Sequence, residues 1–80
     1  MVRVKDLMTA QAEVISPDAT SEEAASVMKT LDIGVLPVCD EEGLVGILTD
    51  RDLVVRVLAA KRDPKAMLVG EAMTPSQPQT

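Results

Sequence analysis

The sequence predicts a small α+β domain of element order β-α-β-β-α, with a small mixed sheet packed on two helices. Three observations carry that reading. Apolar residues recur at helical spacing in two places, within Ala24–Leu31 and within Leu53–Leu58. Between them, two β-rich runs flank the turn Asp40-Glu41-Glu42-Gly43. A composition of 46% hydrophobic and 26% charged residues belongs to a globular chain and not to a disordered one.

Taken in order, Val2–Thr9 is a lead-in that reads as extended or as a single helical turn. Glu13-Val14-Ile15 is a short strand stopped by the turn cluster Ser16-Pro17-Asp18. Thr20 and Glu23 have capping-box spacing, and Ala24, Ala25, Met28 and Leu31 form the apolar stripe of a helix ending before Gly34. Opposite that stripe lie Glu22, Ser26, Lys29 and Thr30. Val35–Cys39 is a strand whose Pro37 suits an edge or a bulge. Leu44–Thr49 is the most strand-like run in the chain. Asp50 is placed to cap a second helix, with a stripe of Leu53, Val54, Val57 and Leu58 continuing to Ala60. Lys61 and Arg62 suit its C-terminal dipole, and Asp63-Pro64 closes it. Val69–Thr74 then echoes Val4–Thr9, with Val, an acid two places on and Met-Thr in register at an offset of 65 residues. Residues 1–66 therefore read as one unit, and 67–80 as the start of a second that is flexible at its end.

Composition excludes several classes of function. There is no Phe, Trp or Tyr, so the core must be built from Val, Leu, Ile, Ala and the five Met. With no His and the single Cys39, zinc and haem sites and any scheme with a His base are ruled out, and no metal site is expected. A net charge of -5 argues against nucleic acid and acidic membranes as partners, and no aromatic is available for base stacking. No apolar run approaches the ~20 residues of a membrane span. No nucleophile–base pair stands out, so catalytic residues are expected to be none and the chain reads as a non-enzymatic, cytoplasmic module.

The run Gly46-Ile47-Leu48-Thr49-Asp50-Arg51-Asp52 is where chemistry concentrates. It places a hydroxyl and two carboxylates where a strand hands over to a helix, a junction with free backbone N–H groups. Arg51 adds a fork of donors for phosphate, and Asp52 can accept from the two hydroxyls of a ribose. From the residues alone, the reading favoured is the plainer one, with Thr49 or Asp50 capping the helix and Asp52 complementing its dipole. Met8, Met28, Met67 and Met73 read as adaptable core filler, Cys39 as a small buried hydrophobe, and Asp40–Glu42 as a solvated hairpin tip.

Ile33–Val38, followed by Gly43–Leu53, closely resembles the CBS domain, the cystathionine-β-synthase regulatory motif. Val4–Thr9 and Ser16–Thr20 fit the same pattern, which spans roughly Val2 to Ala60. The resemblance implies a β-α-β-β-α unit that works in pairs, with adenosine-containing ligands held in clefts between units. The family's nucleotide signature is Gly, hydrophobic, any residue, Thr, two variable residues and Asp, and it maps onto Gly46–Asp52 without departure. By resemblance, Thr49 takes phosphate or ribose oxygens, flanked by Asp50 and Arg51, and Asp52 takes the ribose hydroxyls. The adenine would lie against the Ile15-Ser16-Pro17 turn and the Leu36-Pro37 strand. The expected function is a regulatory module that binds AMP, ATP or S-adenosylmethionine and signals through packing between units. The alternative is a ligand-free structural dimerisation module. The expected partner is a second copy, contacted through the helices bearing Ala24/Met28 and Val54/Leu58, with an effector domain or host protein beyond it.

Overall fold

In the computed structural model, residues 13–76 are described. Helix α1 (Ser21–Leu31) begins at the expected capping box: Thr20 Oγ1 accepts from the Glu23 amide at 3.1 Å, and Glu23 Oε1 accepts from the Thr20 amide at 3.4 Å. Its buried stripe is Ser21, Ala24 and Met28, whereas Ala25 and Leu31 of the expected stripe are exposed. Ser21 is a buried polar residue that is satisfied, since its Oγ and its N–H both donate to the Met67 carbonyl at 2.8 Å. Ala24 and Met28, expected to face a second copy, belong instead to the core of their own unit.

Strands β1 (Val35–Asp40) and β2 (Gly43–Thr49) form the expected hairpin, with Leu36 opposite Leu48 and Val35 opposite Thr49. At its tip the Asp40 carboxylate accepts from the Glu42 amide at 2.8 Å, and Asp40–Glu42 are exposed as expected. Pleating separates two faces. Leu36, Val38, Gly46 and Leu48 point into the core, while Val35, Pro37, Ile47 and Thr49 lie on the other face. Cys39 is half-buried and not a core residue.

The strand expected at Glu13–Ile15 shrinks to one parallel bridge between Ile15 and Val38. Ile15 donates to the Pro37 carbonyl and accepts from the Cys39 amide, both at 3.0 Å. The N–H that would extend this ladder toward Leu36 belongs to Pro37, which has none, so β1 keeps Pro37 on its outer edge.

The second helix is capped by Thr49 and not by Asp50. Helix α2 (Asp50–Leu53) continues into a π turn, Val54–Leu58, in which the Ala59 amide bonds the Val54 carbonyl at 2.8 Å. The wider turn changes the phase of the apolar stripe. Asp52 and Val57, five apart, are buried, while Val54 and Leu58 of the expected stripe are 54% and 65% exposed. Both long helical segments end in a Schellman arrangement with a non-glycine residue in the left-handed region, Asp32 at φ 56° and Lys61 at φ 60°. Such a residue costs ~1–2 kcal/mol relative to an unstrained one, and glycine carries its own entropy cost of ~0.5–1 kcal/mol. Lys61→Gly is therefore expected to raise stability by about 0.5–1 kcal/mol, and Asp32→Gly by less, because Asp tolerates this region better. Urea unfolding checks it; a lower midpoint for Lys61→Gly would contradict the assignment.

The segment from Met67, expected to lead into a second unit, packs onto this one. Helix α3 (Val69–Ala72) buries Val69 and Ala72 completely, and the Val69 and Gly70 amides donate to the Ala19 and Pro17 carbonyls at 2.8 and 2.9 Å. Strand β3 (Thr74–Pro75) then adds antiparallel to β2, giving the sheet order β1-β2-β3. Gly46 permits this approach: a Cβ there would sit 2.7 Å from the Thr74 carbonyl oxygen and 2.6 Å from Met73 Sδ. The Val2–Thr9 lead-in, Met8 and the chain beyond Ser76 lie outside the described residues.

Candidate functional site

The junction of β2 and α2 is built by a second reciprocal cap. Thr49, extended at φ −113° and ψ 161°, accepts from the Asp52 amide on Oγ1 at 3.0 Å. Asp52 Oδ2 accepts from the Thr49 amide at 2.9 Å. The Thr-x-x-Asp spacing is that of Thr20 and Glu23, so it was readable in the sequence as a cap, but the paired geometry makes Asp52 more than a dipole complement.

Asp52 is buried, with its side chain 11% exposed. Its second oxygen, Oδ1, has longer contacts: Thr74 Oγ1 donates to it from 3.4 Å, and Arg56 Nε stands 4.0 Å away. Arg56 Nη1 in turn donates to the carbonyls of Ala72 at 3.2 Å and Met73 at 2.7 Å. Sequence reasoning missed Arg56 and Thr74 as neighbours of Asp52. The i,i+4 spacing of Asp52 and Arg56 was the available signal for the first. Thr74 arrives through tertiary structure and left no local signal.

Asp50 and Arg51 are exposed at the same corner. The Asp50 amide donates to the Gly34 carbonyl at 2.9 Å, and its carboxylate covers Gly34 so closely that a Cβ there would lie 2.9 Å from Oδ2. Asp50, Arg51, Asp52 and Arg56 are two acids and two bases, so their formal charges cancel. Arg56 thus stands as a second cation beside the two carboxylates.

The residues expected to hold an adenine are only partly gathered here. Val35 lies opposite Thr49, and Pro37 shares the same face two residues along. Leu36 is wholly buried, backbone as well as side chain, and so offers no free edge at the surface. Ile15 sits beside Pro37, but its N–H and C=O are both used by β1. Because that bridge is parallel, Ser16 follows Ile15 toward the hairpin tip, and the chain turns at Pro17-Asp18. Ser16 there lines a groove of about 390 Å³ with Asp18 and Asp40–Glu42, an acidic surface that repels phosphate. Pro17 packs against Gly70. Ser16 thus lies toward the hairpin-tip end, while Val14 and Glu13 run on the side of Ile15 nearer to Thr49. Among the described residues no group of His, Cys, Asp and Glu is arranged to hold a metal ion, and no helix is long and apolar enough to cross a membrane.

Comparison with known proteins adds the following. The family model described as CBS domain matches residues 4–59. The CBS domain-containing protein YhcV of Bacillus subtilis is 48% identical over 63 residues, covering 79% of this chain and 45% of the relative. Hypoxic response protein 1 of Mycobacterium tuberculosis is 42% identical over 72 residues, covering 89% of this chain and 50% of the relative. The chain thus spans about half the length of these relatives. Among solved structures, a cystathionine β-synthase domain protein fused to a Zn-ribbon-like domain superposes with a TM-score of 0.77 at 27% identity, over 84% of this chain and 96% of that one.

Proposed function

The chain belongs to the CBS domain family, whose members are regulatory modules, and we propose that it binds an adenine nucleotide or nucleoside at the β2–α2 junction and signals through packing between units. The observation that carries this reading is the state of Asp52. One carboxylate oxygen is held in the cap at 2.9 Å, while the other has only contacts of 3.4 and 4.0 Å. The cap fixes the carboxylate's direction, and Oδ1 keeps acceptor capacity for a ribose hydroxyl. Thr49 Oγ1 accepts from the Asp52 amide and still has its own O–H to donate to a phosphate or ribose oxygen. Arg51 and Arg56 offset Asp50 and Asp52, a balance that suits a monophosphate or nucleoside better than a polyphosphate. The module is read as cytoplasmic and non-catalytic, joined to an effector domain or host protein. Calorimetric titration with AMP, ATP and S-adenosylmethionine tests the proposal. AMP is expected to bind, and absence of heat from all three at millimolar concentration would overturn it.

A second reading, a dimerisation module without a ligand, is favoured by a different observation. Val54, Val55 and Leu58 are 54%, 47% and 65% exposed on one short segment. A domain with so small a core gains by covering such a patch. With Ala24 and Met28 inside the unit, Val54 and Leu58 are what remains exposed of the expected contact between copies. The expected mass by light scattering at tens of micromolar is twice the monomer's 8.5 kDa. A single 8.5 kDa species would contradict it.

A further inference from the structure

Asp52 is covered by the segment that leaves the unit. Its side chain is 11% exposed, and the groups over Oδ1 are the Thr74 hydroxyl and the Arg56 guanidinium. Arg56 also grips the Ala72 and Met73 carbonyls, and Thr74 begins β3, whose place on β2 is completed by the Ser76 amide bonding the Val45 carbonyl at 3.0 Å. Asp52, Arg56 and residues 72–76 are therefore one connected set of polar contacts, with a π turn under Arg56.

We infer that a ligand hydroxyl on Asp52 displaces Thr74, so that occupancy of the site is passed to β3 and to whatever chain follows it. This rests on the reading of the junction as an adenine-nucleotide site and adds how that site is coupled. The oxygen in the 2.9 Å cap contact is the costlier to free, because releasing it unmakes the helix start. Oδ1, with its 3.4 Å partner, yields first. A ribose hydroxyl on Oδ1 competes with the more distant Thr74 hydroxyl for the same oxygen, and Arg56 then shares its nearest anion with the ligand. The two-residue strand β3 then keeps only its backbone pairing to β2. By linkage the effect runs both ways: loosening β3 at Thr74 must strengthen ligand binding.

The test uses the whole chain with AMP as probe. Thr74→Val keeps a β-branched residue at an exposed strand position and removes only the competing hydroxyl. It is expected to bind AMP ~2–10-fold more tightly than the wild type, the range that corresponds to one displaced hydrogen bond. In the wild type, saturating AMP is expected to speed hydrogen exchange of the Ser76 amide. If AMP binds but either result fails, the coupling is wrong and the nucleotide reading survives. If AMP binds neither protein, the nucleotide reading falls and the coupling falls with it.

Discussion

Leu48→Ala is expected to remove ~2–5 kcal/mol of stability. Leu48 is fully buried, as is its cross-strand partner Leu36, and these two are the largest side chains wholly enclosed in the core. Around them are Val38, Val57, Val69 and Ala72, all aliphatic, since the chain has no aromatic residue to fill a gap. Truncation deletes three carbons and leaves a cavity bounded by two β-strands and the tightly docked α3, none of which can collapse without breaking a ladder or a turn. At ~0.05–0.15 kcal/mol per residue, a domain of this length holds only ~4–12 kcal/mol in total. The variant should therefore be largely unfolded under conditions mild for the wild type. Urea unfolding of both measures the difference; a loss under ~1 kcal/mol would show that Leu48 does not face the core.

Asp52→Ala is expected to act on two properties at once. Binding of AMP should weaken by at least ~tenfold, because charge-assisted hydrogen bonds contribute ~1.5–3 kcal/mol each. Stability should also fall by about 1–2 kcal/mol, because the Thr49 amide loses its 2.9 Å acceptor and Arg56 its nearest anion. A residue that merely complemented a helix dipole would cost ~0.3–1 kcal/mol and leave the ligand untouched. Asp52→Asn separates the effects: one amide oxygen can keep the cap, while the group turned toward the ligand becomes a donor. That variant is expected to retain most of the stability and lose affinity to an intermediate degree. Thermal unfolding and calorimetry on the same samples check both; full AMP affinity in Asp52→Ala would remove Asp52 from the site.

What could be read in advance divides along the range of the interaction. The Thr20–Glu23 cap, the hairpin about Asp40–Gly43, Pro37 on a strand edge and the strand at Leu44–Thr49 are all decided within a few residues, and all are found. The π turn at Val54–Leu58 was not legible, because Leu53, Val54, Val57 and Leu58 fit an ordinary helix equally well on spacing alone. The Ile15 strand failed for a reason on another segment, the missing N–H of Pro37. The place of Ser16 beside the acidic hairpin tip was not legible, because the direction of the Ile15 bridge, parallel to β1, is a tertiary fact. At the site itself Thr49 and Asp52 were legible as chemistry, while Thr74, 22 residues from Asp52, was not.

The claim on which the account turns is that Asp52 Oδ1 accepts from the ribose 2′-hydroxyl, and a pair of titrations on the unmodified chain tests it. AMP and 2′-deoxy-AMP share base, phosphate and charge, and differ in one hydroxyl. AMP is expected to bind at least ~tenfold more tightly, the share of one charge-assisted hydrogen bond. Equal affinities, or no heat from either nucleotide, would contradict the account.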